Sequence, residues 1–287
     1  MEQELTDMIS MFSTLTPATL TNYKNTYKRL RKLTGVPLGE LSDKQLIKFI
    51  SDADVSVGAK ITLLTTATNI FVSQSRDVVP LQRFRKILNE SLKDANANKA
   101  SENDLPPMSE LIKFTNELYK KKKYRDFVIN YLMITYGVRN MDLNLLISAS
   151  RKLVVEDENY LIVGKKSVSY IRNNFKTSAV YGARRHVIKD KKLMNAVTEL
   201  LGGKTETPLL TQKNGDRIAE NTLGTYVKRL TYDGLGEGKY FKIIVSADGK
   251  ANFERLTASR GTSTQVAMEH YDQTFKNEAG AFTKKLK

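Results

Sequence analysis

The side chains able to do chemistry in this 287-residue chain are defined first by what it lacks. There is no cysteine, so disulfides, thiolate zinc sites and a thiol nucleophile are excluded. The two histidines, His186 and His270, show no paired spacing, which leaves little from which to build an imidazole-bound metal centre or a Ser-His-Asp hydrolase. No metal and no other cofactor is expected. What remains is arginine, lysine, tyrosine and hydroxyl chemistry. Lys and Arg number 46 against 31 acids, a formal charge of +15, and there are 13 tyrosines. Such a balance points to a polyanionic partner neutralised through its phosphates, with double-stranded DNA the first candidate. An anionic membrane surface would also attract this charge, but no spanning apolar run, signal-peptide pattern or lipidation motif is present. The expectation is a soluble intracellular protein of a reducing compartment, with no membrane partner.

Within that chemistry, Arg139 has the most informative setting. In YLMITYGVRNMDLNLL an apolar helical run stops at Gly137, and a new helix is predicted to begin near Met141. An arginine there stands beside backbone N–H groups that also favour a phosphate, although this segment by itself reads more readily as a solvated arginine of a helix–helix turn. Lys165, Lys166, Arg184 and Arg185 form a second basic neighbourhood, of the kind that touches backbone phosphates.

The elements that must position these residues fall into two domains. Residues 94–107, DANANKASENDLPP, are small, polar and helix-breaking, and set the boundaries at 1–100, a linker 101–107 and 108–287. Residues 1–100 carry 14 basic and 10 acidic side chains and the remainder 32 and 21, so most of the excess charge lies in the second domain. In the first, Thr16 can cap and Pro17 can open a helix carrying Leu20, Tyr23, Tyr27 and Leu30, which ends near Gly35. Ser42 caps a second helix. A third runs through Ile61, Leu64, Ile70 and Phe71, and a fourth through Leu81, Phe84, Ile87 and Leu88, making a four-helix bundle. The second domain opens with helices at 109–119 and 124–137. Strands follow at 160–163, 168–174 and 184–188 in a small antiparallel sheet, then helices at 190–201, 219–231 and 264–275. The fold class is mainly α with a small antiparallel sheet in the second domain.

Three segments together resemble the tyrosine recombinases and phage-type integrases. Gly137, Val138, Arg139, Asp142 and Leu143 match the family's "TG-hydrophobic-R-x-x-E-L" turn, with Asp for Glu. IRNNFKTSAVYGARRHVI resembles the family's β-hairpin, and Lys176 falls on its lysine. In SRGTSTQVAMEHYDQTF, Gly261, Thr262 and Ser263 stand at the "G-H-S" turn and Tyr271, nine residues beyond Thr262, lands on the nucleophile. LTPATLTNYKNTYKRLRKLTG resembles the family's core-binding domain, so the resemblance spans nearly the whole chain. It implies a helical DNA clamp followed by a catalytic domain.

Two positions depart from the family. Its H-x-x-R box is best matched by KYFK, with Lys239 at the first position and Lys242 where the second arginine belongs; an ammonium keeps the charge but loses the planar fork that holds two phosphate oxygens. The loop SADGKANFERLTASRG is the alternative source, through Arg255 or Arg260. Thr262 replaces the histidine as a neutral donor.

The resemblance implies site-specific recombination or integration. Arg139, with Lys239, Lys242 or a nearby arginine, would neutralise the scissile phosphate; Tyr271 would attack phosphorus to give a 3′-phosphotyrosyl link, and Lys176 would protonate the departing 5′ oxygen. Strand exchange implies a homotetramer on DNA. The alternatives are a catalytically degenerate DNA-binding or architectural protein of the same fold, which Lys242 and Thr262 favour, and a type IB topoisomerase-like enzyme.

Overall fold

The computed structural model describes residues 3–12, 15–101 and 105–262. The chain divides into two compact units after residue 103.

The first unit is helical: α1 (Gln3–Ser10), α2 (Pro17–Thr34), α3 (Asp43–Asp52), α4 (Val57–Ser73) and α5 (Val79–Ser101). The caps follow from residue chemistry. The Thr16 side chain accepts from the Thr19 amide, and Gly35 closes α2 in the left-handed conformation at φ 73°. Ser42 and Gln45 form a reciprocal capping box at the start of α3. The four expected helices surround a core of Leu30, Leu46, Ile50, Leu64, Ile70 and Phe71, joined by Met8 of the unforeseen α1. That first helix is held by Glu4, whose carboxylate accepts from the Tyr27 hydroxyl at 2.8 Å and from the Leu38 and Gly39 amides. The start of the segment that reads as helix-breaking, from residue 94, is helical. Helix α5 runs on to Ser101, because Ala95, Ala97, Lys99 and Ala100 are strong helix formers and the first proline after it is Pro106.

In the second unit, α6 (Met108–Lys120), α7 (Tyr124–Tyr136) and α9 (Lys191–Leu201) pack with a five-stranded sheet. Its strands are β1 (Leu145–Ser148), β2 (Asn159–Val163), β3 (Val168–Arg172), β4 (Arg184–Ile188) and β5 (Glu206–Pro208), in the order β4-β3-β2-β1-β5. A four-residue helix, α8 (Ser178–Tyr181), lies between β3 and β4, and α10 (Glu220–Lys228) follows β5. The chain is thus mainly α with one small sheet. The β2-β3 and β3-β4 pairs are antiparallel, as expected; β1, too short to show alternation, pairs with β2 in parallel, so the sheet is mixed. The parallel pair arises because residues 149–158 carry the chain back to start β2 in the direction of β1.

The largest departure from expectation is α11 (Glu237–Arg260), a single helix where SADGKANFERLTASRG reads as a loop. Phe241, Ile244, Val245, Phe253 and Leu256 are buried in one cluster, and Val245 and Leu256 stand three helical turns apart. Apolar positions on both sides of Gly249 share one phase, so burial outweighs the roughly 1 kcal/mol that an interior glycine costs. The predicted helix 264–275 lies outside the described residues. Gly249→Ala should therefore raise the stability of the second unit by about 0.5–1 kcal/mol and Gly249→Pro lower it by about 3 kcal/mol; denaturant titrations in which alanine destabilises would contradict a continuous helix.

Candidate active site

The site is built where α7 ends. Gly137 terminates that helix in the left-handed conformation, φ 58°, with its amide donating to the Met133 carbonyl at 3.0 Å. A β-carbon on Gly137 would stand 2.7 Å from the Phe241 ring, so glycine also permits α11 to approach the turn. Val138 is buried, Arg139 is extended, and a 3-10 turn, Asn140–Leu143, takes the place of the expected helix. Asp142 closes this turn by accepting from the Arg139 amide at 2.9 Å.

The C-terminal end of α11 faces the turn. Gly261, at φ 65°, and Thr262 form a two-bond helix stop, with the Thr262 amide donating to the Thr257 carbonyl at 3.0 Å and the Gly261 amide to the Ala258 carbonyl. The Arg139 guanidinium closes onto this end, Nη1 donating to the Arg260 carbonyl and Nη2 to the Thr262 hydroxyl at 3.0 Å. In the opposite direction, Arg260 Nη1 donates to the Gly137 carbonyl at 2.8 Å while its guanidinium lies 4.2 Å from the Phe241 ring centroid. The two segments exchange arginines.

A third segment, between β3 and β4, completes the site. The Thr177 hydroxyl donates to the Gly261 carbonyl at 3.2 Å, and a β-carbon on Gly261 would fall 2.0 Å from that hydroxyl. Glycine at 261 thus lets the neighbouring Lys176 reach the end of α11. Arg139, Lys176, Arg260 and Thr262 consequently line one open pocket of about 480 Å³, together with Asn140, Glu220, Glu237 and others. Glu237 is an internal counterion there: one oxygen accepts from the Asn140 amide and the other from Arg260 Nη2 at 3.4 Å.

Beneath the pocket, burial raises the Asp142 carboxyl above its ordinary pKa, against the pull of Arg172 and the Arg139 amide. Burial likewise pushes Tyr170 well above the ordinary tyrosine value, and its hydroxyl stays protonated to donate to the Asp142 carbonyl oxygen at 3.1 Å.

Other expected residues are not brought here. Lys239 is exposed and Lys242 half-buried on α11; neither lines the pocket, because the buried Tyr240 and Phe241 between them take the inward face of the helix. Lys165 and Lys166 are exposed at the β2-β3 turn, and Arg184 and Arg185 lie on the edge strand β4, also away from the pocket. Of the two candidate arginines from the expected loop, Arg260 lines the pocket; the Arg255 side chain, Ser263 and Tyr271 lie outside what is described. Sequence reasoning missed Arg172 and Glu237. The signal for Arg172 was present, since Val168, Tyr170 and Arg172 alternate on one strand face and all three are fully buried.

No protein-family model matches the chain, and a search of curated proteins finds no match. Among solved structures the chain is similar to a crystal structure of XerA recombinase. The two are 10% identical over 98% of each chain, with a TM-score of 0.39.

Among the described residues no group of three or more His, Asp or Glu is placed to hold a metal ion, and no helix is long and apolar enough to cross a membrane. Gly261→Ala should cost about 1–3 kcal/mol from the left-handed backbone alone, with the Thr177 contact adding to it. A thermal midpoint equal to that of the unaltered protein would show that residues 176–177 do not lie against this helix end.

Proposed function

We propose that this chain binds double-stranded DNA and cuts and rejoins it through a 3′-phosphotyrosyl intermediate, as a recombinase or integrase. The observation that carries the reading is the meeting of Arg139, Lys176, Arg260 and Thr262, drawn from separate segments, around one pocket. A charge of +15 supports a nucleic-acid partner.

In this reading Arg139 binds the nonbridging oxygens of the scissile phosphate. Its guanidinium is planar and permanently charged, so it can follow charge developing on phosphorus in the transition state without reorganising. The Thr262 hydroxyl, already bonded to Arg139, adds a neutral donor. Arg260 contributes positive potential from behind Arg139, since its own fork is engaged by Gly137, Glu237 and Phe241. The hydroxyl oxygen of Tyr271 attacks phosphorus and gives up its proton to solvent as the bond to the 5′ oxygen breaks, while Lys176 gives that oxygen a proton and regains one from water. Attack by a 5′ hydroxyl reverses the step and releases the tyrosine. The bond energy is conserved in the phosphotyrosyl link, and exchange between two duplexes calls for four protomers. Lys239, Lys242, Lys165, Lys166, Arg184 and Arg185 then serve the DNA backbone away from the reacting phosphate.

A second reading is a DNA-binding protein of the same architecture that no longer cuts. It is favoured by the position of Lys239 and Lys242 outside the pocket and by the engagement of Arg260, which leave Arg139 and Lys176 as the cations best able to reach a ligand.

The two are separated by incubating the full chain with a pool of nicked duplexes of randomised sequence and trapping protein–DNA adducts in detergent. Cleavage predicts an adduct that Tyr271→Phe abolishes and that Arg139→Ala reduces by about 100-fold or more, while Arg139→Ala weakens duplex binding about tenfold. No adduct from any sequence, with binding intact, favours the second reading; an adduct surviving Tyr271→Phe removes the nucleophile assignment.

A further inference from the structure

We infer that Arg172, a residue away from the pocket surface, is the positioning residue of the Arg139 clamp; the inference rests on the reading of Arg139 as a phosphate ligand. Arg172 is completely buried at the end of β3. Its Nη1 pairs with Asp142 Oδ2 at 3.2 Å, and both side chains are fully shielded from water. That same Asp142 oxygen accepts from the Arg139 amide. The other terminal nitrogen of Arg172 donates to the Ser259 carbonyl, and to the Ser259 hydroxyl at 3.3 Å. Ser259 in turn donates to the Tyr136 carbonyl at 3.2 Å. One guanidinium therefore fixes both segments between which the Arg139 side chain is strung: the turn that holds its backbone, and the end of α11 whose carbonyl and Thr262 hydroxyl receive its side chain.

A role in fold stability alone does not account for this arrangement. Among the described residues Asp142 Oδ1 and Arg172 Nε have no hydrogen-bond partner, so the pair is desolvated without being fully satisfied. Apolar side chains of similar volume are commonly as stabilising as a buried ion pair, or more so. What apolar side chains cannot supply is direction. The planar fork of Arg172 sets the spacing of Asp142 and Ser259, and so the spacing of the two anchors of Arg139. A lysine could reach one anchor and not both.

The experiment is a double-mutant cycle on the full chain. Arg172→Met alone would strand a buried carboxylate, so it is combined with Asp142→Asn; this paired variant should keep a thermal midpoint close to the unaltered protein. The probe is a pool of 30-base-pair duplexes of random sequence, titrated with and without Arg139→Ala. In the unaltered background Arg139→Ala should weaken binding about tenfold, the loss of one charge-assisted contact. In the paired background it should weaken binding less than about twofold, because the clamp is already mispositioned. An equal loss in both backgrounds overturns the inference, as does no loss in the unaltered one. Should the paired variant fail to fold, Arg172→Lys replaces it: the inference requires its cycle with Arg139→Ala to be non-additive, and additivity overturns it. None of these readouts needs cleavage, so absence of an adduct from the unaltered protein counts against the proposed reaction and leaves the cycle decisive for Arg172.

Discussion

A guanidinium shut away from solvent needs acceptors for its terminal nitrogens, and at Arg172 this need ties two distant segments of the second unit together. Its partners come from the turn after α7 and from the last turn of α11, separated by more than a hundred residues of chain. A shift of the Asp142 turn would leave a buried charge unpaired, a cost of about 3–5 kcal/mol, and a shift of the α11 end would leave an Arg172 nitrogen without its acceptor. Glycines at 137 and 261 are the permissive half of the same constraint. They allow the backbone reversals and the contacts with Phe241 and Thr177 through which three segments converge at van der Waals distance.

The basic residues of the site divide by what already occupies their donors. Arg172 is spent on Asp142 and Ser259, and Arg260 on Gly137 and Glu237 with its plane against Phe241. Arg139 is held by a backbone carbonyl and a hydroxyl, neither of which bears charge, so its own charge is not neutralised by either side-chain contact. Position in the fold, rather than residue type, decides which arginine can serve a ligand. For the same reason Lys239 and Lys242 are unsuited to the pocket despite their sequence spacing: helical phase assigns the inward direction to Tyr240 and Phe241.

Much of this was legible in the sequence where a local rule decides the outcome. The caps at Thr16 and Ser42, the stops at Gly35 and Gly137 and the strands of YLIV, VSYIRNN and RRHVI, the second of which ends two residues sooner at Arg172, each follow from residues within one turn or one pleat of the feature. The failures share a different cause. Helix α11 looked like a loop because Asp248, Gly249 and Asn252 are poor helix formers, and the burial that overrides them is tertiary. Arg172 shares the strand face of Val168 and Tyr170, but an arginine in a strand is ordinarily exposed, and its burial depends on Asp142 and Ser259 lying beside it. The parallel pairing of β1 with β2 is likewise invisible in a four-residue run.

The balance of charge lining the pocket bears on which anions it can accept. Arg139, Lys176 and Arg260 face Glu220 and Glu237, a formal excess of one positive charge. A phosphodiester brings one negative charge and would leave the pocket neutral. A phosphomonoester, carrying nearly two, would leave it negative in a partly desolvated space where uncompensated charge is costly. Glu237, which anchors Asn140 and Arg260, and Glu220 therefore limit the positive charge of the pocket, so that one added negative charge balances it and two exceed it.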